Sequence, residues 1–323
     1  MIPTLQQFSR ALLTPDLSFA ALSDARAATG TDGLPRLRRT TRFAEAEIDW
    51  RGRRWLLFLP LTPAALPRIE RTASALRRIT SDSLALYRIL PGELRWHDGA
   101  GTERRADLVL QHLPEGKTFE EALLAEERGR LETALDALEA ELRRIGFAHR
   151  NLTPDNLRWC GGRFVPLRYH DAEIGGPNDD AEAFEALRRQ IAGAAGPQCV
   201  CDTRAPYDPL GRLTGHRWTS NVFEGLVCVE DDGGFGFVDT DNRPVIAAQY
   251  LWAGDFHEGR AEVQTASGMG LIDRTGAYVI PPEYEIVDYD PARSVVRVRQ
   301  QGRWALFDYL GRRITQFGTE NEA

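Results

Sequence analysis

Apolar residues recur at helical spacing in one long stretch of the chain. Leu131, Leu135, Leu138, Leu142 and Ile145 follow one another at steps of four, three, four and three, which predicts an amphipathic helix within 120–145. Upstream the period changes to two: Ala44, Ala46, Ile48 and Trp50 alternate with Glu45, Glu47 and Asp49 before Arg51-Gly52 leads into the apolar run Trp55–Leu59. This predicts a β-hairpin with one half-exposed and one buried strand. A helix around Ile69, Ala73, Leu76 and Ile79 follows, then strands at Leu84–Leu90, near Leu94–Trp96 and at Asp107–His112, with Gly99-Ala100-Gly101 as a turn. Asp179 and Asp180 precede Ala181–Phe184 as the start of an acid-capped helix. Strands first and helices later give an α+β fold for this part of the chain.

After Gly193-Ala194-Ala195-Gly196-Pro197 the helical period stops, and short alternating segments broken by Gly, Pro, Asn and Asp take over. The break divides the chain into an α+β domain at 1–196 and an all-β domain at 197–323. The second domain repeats. Phe235-Gly236-Phe237-Val238-Asp239 recurs as Met269-Gly270-Leu271-Ile272-Asp273, 34 residues on, and as Trp304-Ala305-Leu306-Phe307-Asp308, a further 35 on. Its flanks recur in register: Phe223-Glu224-Gly225 against Phe256-His257-Glu258-Gly259, and Pro244-Val245-Ile246 with Tyr250 against Tyr278-Val279-Ile280 with Tyr284. A fainter leading copy runs from Tyr207-Asp208-Pro209-Leu210-Gly211 to Trp218. Self-similarity at this period marks an array whose units bury their apolar faces against their neighbours. The pattern resembles the WG-repeat family over about residues 200–315, although no copy keeps both the Trp and the Gly of the name. The resemblance implies an array of β-hairpins that binds a protein partner or another ligand, with no shared catalytic residue.

Charge changes the picture little. The chain has 323 residues and a net charge of −7, and residues 1–197 balance 28 basic against 28 acidic side chains, so the excess lies beyond them. Neither part carries the basic surplus on which polyanion binding rests, so no nucleic-acid partner is expected, although a local arginine patch is compatible with the balance. No apolar run reaches the roughly 18 residues of a membrane span. MIPTLQQFSRALLTPD has no basic segment before an apolar core, which points to the cytoplasm. Cys199-Val-Cys201 lacks the second Cys/His pair of a zinc site, so Cys160, Cys199, Cys201 and Cys228 read as reduced thiols.

The stretch richest in chemistry is Phe147-Ala148-His149-Arg150-Asn151-Leu152-Thr153-Pro154-Asp155-Asn156-Leu157, followed by Tyr169-His170-Asp171-Ala172-Glu173. Over about residues 30–195 this resembles the protein-kinase-like fold, in which His-Arg-Asp-x-x-x-x-Asn precedes a strand pair and Asp-Phe-Gly. The resemblance implies a truncated C-lobe, because the repeats begin where its later helices belong. It also implies lost chemistry. Asn151 stands where the family keeps its catalytic aspartate, and an amide is far too weak a base for that role. Thr153 replaces the loop lysine. The only lysine in the chain is Lys117, so the phosphate-binding lysine of the third strand is missing, its place lies in Trp55–Leu59, and Glu70 lacks that partner. Gly30 and Gly33 form a meagre phosphate-covering loop that reads as an ordinary turn. Asn156 and Asp171 remain as oxygen ligands suited to Mg²⁺, or as loop hydrogen-bonders with His149 and Arg150 as internal braces. The leading expectation is a pseudokinase domain coupled to repeats, a non-catalytic scaffold with no cofactor. One alternative is an atypical phosphotransferase or nucleotide sensor using Asn156, Asp171 and Mg²⁺ with Asp155 or His170 as base. Another places ligand binding on exposed repeat aromatics, Trp252, Tyr284 and Tyr289.

Overall fold

A computed structural model describes residues 2–31, 33–98, 100–176, 180–193 and 213–319. The chain forms two compact units: Met1–Arg39, Phe43–Leu61 and Ala65–Cys201 in one, and Thr40–Arg42, Thr62–Ala64 and Asp202–Ala323 in the other.

The first unit contains α1 (Leu5–Leu13), α2 (Pro15–Ser18), β1 (Arg26–Ala27), β2 (Leu37–Arg39), β3 (Phe43–Trp50), β4 (Arg53–Pro60), α3 (Ala65–Leu76), β5 (Tyr87–His97) and β6 (Glu103–His112). It continues with β7 (Lys117–Thr118), α4 (Phe119–Ala125), α5 (Arg128–Arg144), β8 (Phe147–Ala148), β9 (Leu157–Cys160), β10 (Arg163–Pro166), β11 (Glu173–Ile174) and α6 (Ala181–Ile191). The main sheet is antiparallel in the order β1-β3-β4-β6-β5, with β2 also on β3. Arg51 and Gly52, at φ 52° and 70°, make the two-residue turn between β3 and β4 that the right-handed strand twist favours.

Strand β3 is buried on both faces over residues 43–46 and half-exposed beyond them, where Glu47 is partly buried and Asp49 exposed. One face of the sheet, with Ala44, Ala46, Ile48, Leu57 and Leu59, is covered by Phe8, Ala11, Leu12, Phe19 and Leu22 from the N-terminal helices and the segment after them. The other face, with Phe43, Leu56 and Phe58, packs on Ile69 and Ala73 of α3 and on the core of α5, β9 and β10. The covering helix announces itself only by the Thr4/Gln7 capping box and by Phe8, Ala11 and Leu12 at helical spacing. The helix expected within 120–145 is two helices: α4 ends at Glu126, whose backbone is extended, and α5 starts at Arg128. The strands expected at 84–90 and 94–96 are one strand, β5, with a register shift between Leu90 and Leu94. There the buried carboxylate of Glu93 accepts from the Ala21 and Leu22 amides at 2.8 Å.

The second unit contains β12 (Trp218–Phe223), β13 (Leu226–Asp231), β14 (Gly234–Asp239), β15 (Pro244–Tyr250), β16 (Trp252–Ala253), β17 (Arg260–Gln264), β18 (Met269–Asp273), β19 (Tyr278–Tyr284), β20 (Ile286–Asp290), β21 (Val295–Gln300) and β22 (Arg303–Asp308). They form three antiparallel meanders, β12–β15, β16–β19 and β20–β22. The repeated aspartates explain the period. Asp239, Asp273 and Asp308 each turn Oδ1 onto the amides two and four residues on, at 2.8–3.1 Å, and so fold the turn after their strand. Each turn then needs a left-handed residue, supplied by Asn242, Gly276 and Gly311. A Cβ at Gly311 would lie 2.2 Å from the Val279 carbonyl oxygen, and one at Gly276 would lie 3.4 Å from Ile246, so each turn stacks on the preceding meander.

The repeated small residue is a matter of clearance. At Gly236 a Cβ would lie 2.6 Å from the Ala248 nitrogen, and at Gly270 it would lie 2.7 Å from the Ile280 carbonyl oxygen. Both crossings coincide with register shifts in the fourth strands, β15 and β19. Among the described residues the third meander has no regular fourth strand, and on the side of β22 away from β21 lie isolated bridges, Trp304 to Gly318 and Phe307 to Arg313. Ala305 is accommodated there. Residues 207–211 of the fainter leading copy, and Cys199 and Cys201, lie outside the described residues.

Candidate functional site

Pairing of β8 with β11 brings the loop 149–156 beside Asp171. His149 is fully buried: its Nε2–H donates to the Leu167 carbonyl at 2.7 Å and its Nδ1 accepts from the Asn151 amide at 3.3 Å. These two partners fix one neutral tautomer, and burial lowers the pKa of the ring. Asp180 accepts the His149 and Arg150 amides at 2.5 and 2.7 Å. It precedes α6 but makes no side-chain cap on it, so the acid expected to cap the helix anchors this loop instead. Arg150 has a left-handed backbone, φ 60°, and reaches Glu173 at 2.5 Å.

Asn156 is engaged at both ends of its amide. Nδ2 donates to the Asn151 carbonyl at 2.7 Å, and Oδ1 accepts from Arg168 Nη1 at 3.3 Å. Asp171 Oδ1 accepts from Arg68 Nη1 at 3.3 Å, and Thr72 Oγ1 donates to the neighbouring Ala172 carbonyl at 2.8 Å. The side chain that α3 directs to Asp171 is therefore Arg68, while Glu70 is exposed.

Between the sheet and this loop lies a buried ion pair that the sequence reading did not single out. Arg168 grips Glu45 of β3 with two bonds, Nε to Oε2 at 2.6 Å and Nη2 to Oε1 at 2.7 Å. Its Nη1 also donates to the Asp155 carbonyl at 2.9 Å, and its amide donates to Gln111 Oε1 at 2.7 Å. Burial pushes the Glu45 carboxyl up, but the guanidiniums of Arg168 and Arg38 outweigh it and hold the pKa below the usual carboxylate value. Beside the pair, His170 stacks on Phe43 with ring centres 3.9 Å apart and meets the edge of Phe58 at 4.4 Å. Tyr87 Oη lies 3.2 Å from its Nδ1. Burial drives the His170 pKa down to about 3, so this ring is a poor proton acceptor at neutral pH and does not suit the role of general base. The sequence signal for the pair was faint: an acid in an alternating strand reads as solvent-facing, and its partner lies 123 residues away.

In the second unit Trp252, Tyr284 and Tyr289 are 4%, 9% and 3% exposed, so they are core residues, contrary to the expectation of exposed binding aromatics. Among the described residues of the array the exposed tyrosines are Tyr278 and Tyr309. Residues 235–266 and 269–304 match the family described as WG containing repeat. Each matched stretch starts at the third strand of one meander, β14 or β18, and runs on into the next, so the repeat unit is offset from the sheets and contains one glycine crossing. No curated protein matches the chain. No helix among the described residues is long and apolar enough to cross a membrane, and none of their His, Cys, Asp and Glu side chains cluster in threes to hold a metal ion.

Proposed function

We propose that this is a non-catalytic, cytoplasmic interaction protein in which a degenerate kinase-like domain is coupled to WG repeats that bind a protein partner. Three features support the kinase-like reading of the first unit. The strands run in the order β3-β4-β6-β5 with α3 inserted between β4 and β5. A loop of the His-Arg-x-x-x-x-x-Asn pattern leaves β8, and a buried aspartate before α6 anchors its backbone.

The observation that carries the non-catalytic reading is the Glu45–Arg168 pair. Glu45 takes the guanidinium of Arg168 in a two-bond grip, so a cation that could have answered a phosphate is already held by a carboxylate. The other groups do not fit a magnesium-bound nucleotide either. Asn156 Oδ1 and Asp171 Oδ1 each already accept from a guanidinium. On β4 this face carries Leu56, Phe58 and, towards the turn, Arg54, whose guanidinium is taken by Glu47. The turn from β2 to β3, Thr40–Arg42, holds no glycine, and Gly30 lies in the excursion between β1 and β2, where its amide donates to the Leu34 carbonyl. Phosphoryl transfer rests on positioning and charge stabilisation, and neither is supplied by these side chains.

A thermal-shift titration of the whole protein with ATP, GTP and ADP, each with and without Mg²⁺, tests the reading. A ligand at 100 times its Kd would add about 2.7 kcal/mol, so the expected result is no shift. A magnesium-dependent rise that disappears in Asp171→Ala would overturn it in favour of a nucleotide sensor or atypical phosphotransferase.

A further inference from the structure

The turn between β3 and β4 reads Trp50-Arg51-Gly52-Arg53-Arg54-Trp55, and it concentrates cations of which only Arg54 is answered by an acid among the described residues. Both indoles are fixed at their N–H groups: Trp50 Nε1 donates to Asp24 Oδ1 at 2.8 Å and Trp55 Nε1 to the Trp50 carbonyl at 3.2 Å. Arg51 Cζ lies 4.5 Å from the centre of the Trp50 ring, and Arg88 Cζ, from β5, lies 5.8 and 6.0 Å from the Trp50 and Trp55 rings. His112 meets Trp55 edge-on at 5.3 Å, and its pKa is lowered by burial and by the charge of Arg53.

The acids bordering this group are few. Asp24 is taken by Trp50, Glu47 pairs with Arg54 at 2.5 Å, and Asp49 lies across the ladder from Arg54. Among the described residues no carboxylate pairs with Arg51, Arg53 or Arg88, and the Nε of Arg88 is enclosed without a hydrogen-bond partner. Stacking on an indole holds a guanidinium's planar fork in place, so less rotamer freedom is lost when it grips an oxyanion.

We propose that this hairpin is a docking site for an acidic segment of a partner protein, whose carboxylates the guanidiniums of Arg51, Arg53 and Arg88 receive. Arg51, Gly52 and Arg53 are exposed at the tip of a turn, and such a convex surface cannot wrap a lone small anion. A ligand that brings several carboxylates at once suits it better. A short acidic segment also suits the rest of the molecule better than a polynucleotide or an anionic bilayer does. With a net charge of −7, the remaining surface repels an extended polyanion, whereas a short segment touches the patch alone. The inference does not depend on whether the cleft of the same unit binds nucleotide.

The test is fluorescence polarisation of a labelled twelve-residue Glu/Asp peptide with the full chain at low and physiological salt. The comparisons are its Gln/Asn counterpart, a twelve-nucleotide single strand and vesicles containing anionic lipid. Arg51→Asn combined with Arg53→Gln removes two exposed charges and keeps a residue that tolerates the left-handed turn. Arg243→Gln combined with Arg312→Gln makes the same change in net charge on the second unit. The expected result is salt-sensitive binding of the acidic peptide, weakened about tenfold by the hairpin pair and unchanged by the control pair, as two exposed ion pairs would give. Absence of binding, equal weakening by both pairs, or tighter binding of the oligonucleotide or the vesicles would overturn the proposal.

Discussion

Replacing Arg168 by methionine isolates the interaction on which the non-catalytic reading rests. Both side chains of the pair are largely buried, with Glu45 10% and Arg168 16% exposed. Removing the guanidinium leaves Glu45 as a buried anion and orphans the Asp155 carbonyl, so the loss should reach about 3–5 kcal/mol at pH 7. Removing both charges should cost much less. In Glu45→Leu with Arg168→Met no uncompensated ion remains, and the double variant should recover at least about 2 kcal/mol of the single loss. The pH dependence gives a second, independent readout. In the wild type the Glu45 pKa is depressed, so its contribution is present above the ordinary value of 4.5 and is lost as pH falls through the lower folded value. In Arg168→Met the Arg38 guanidinium, 3.5 Å from Oε2, still opposes burial but Arg168 no longer does, so the Glu45 pKa rises and the deficit should shrink as pH falls from 7 towards the ordinary carboxylate range. Hydrogen exchange read on peptides from β3, β9 and β10 reports on this unit separately from the repeats. A loss below about 1 kcal/mol, or a double variant worse than the single, would refute the reasoning.

Two further outcomes follow from the geometry. Gly236→Ala and Gly270→Ala each push a methyl into the neighbouring backbone and should cost about 1–3 kcal/mol or more by urea unfolding, while Ala305→Gly should cost only about 1 kcal/mol. Similar losses at all three sites would show that clearance is not what selects the small residue. Asp180→Ala strips the acceptor from the buried His149 and Arg150 amides, which should cost about 2–4 kcal/mol and speed exchange of residues 149–151 selectively. Uniform loss of protection across the unit would instead make Asp180 a general folding residue.

What the sequence made legible was local. The spacing of 34 and 35 residues announced the array because each period carries its own aspartate turn and its own small residue, Gly236, Gly270 or Ala305, and each of these signals is local to one meander. The hairpin β3–β4 and the helices α3 and α5 were readable from period alone. What failed depends on distant partners. Glu45 looked solvent-facing because alternation records polarity and not what lies opposite, and Arg168 supplies that partner from the segment before Asp171. The same blindness hid the burial of Trp252, Tyr284 and Tyr289, since alternation does not say which face of a strand meets the core, and Tyr284 lies on the inward face of the half-exposed β19. Asp180 was recognised as important but given the wrong job, because an acid before a helix signals a cap unless a buried loop competes for its oxygens.

The placing of the charges in the first unit bears on why a unit with the proposed non-catalytic role would keep an ion pair where an apolar contact would be as stable. The Coulomb gain of a buried pair is largely offset by desolvation, so leucine and methionine at 45 and 168 would stabilise the fold about as well. An apolar pair, however, has no directional bonds. Arg168 joins both oxygens of Glu45 to the Asp155 carbonyl and the Asn156 amide oxygen, and its own amide reaches Gln111 of β6. One guanidinium thereby sets the position of β3 and of the 149–156 loop together. A nucleotide-dependent domain obtains that alignment only when ligand is bound, whereas here the alignment is intrinsic to the chain. A partner then meets a surface that is already ordered, and less of the binding free energy is lost to ordering.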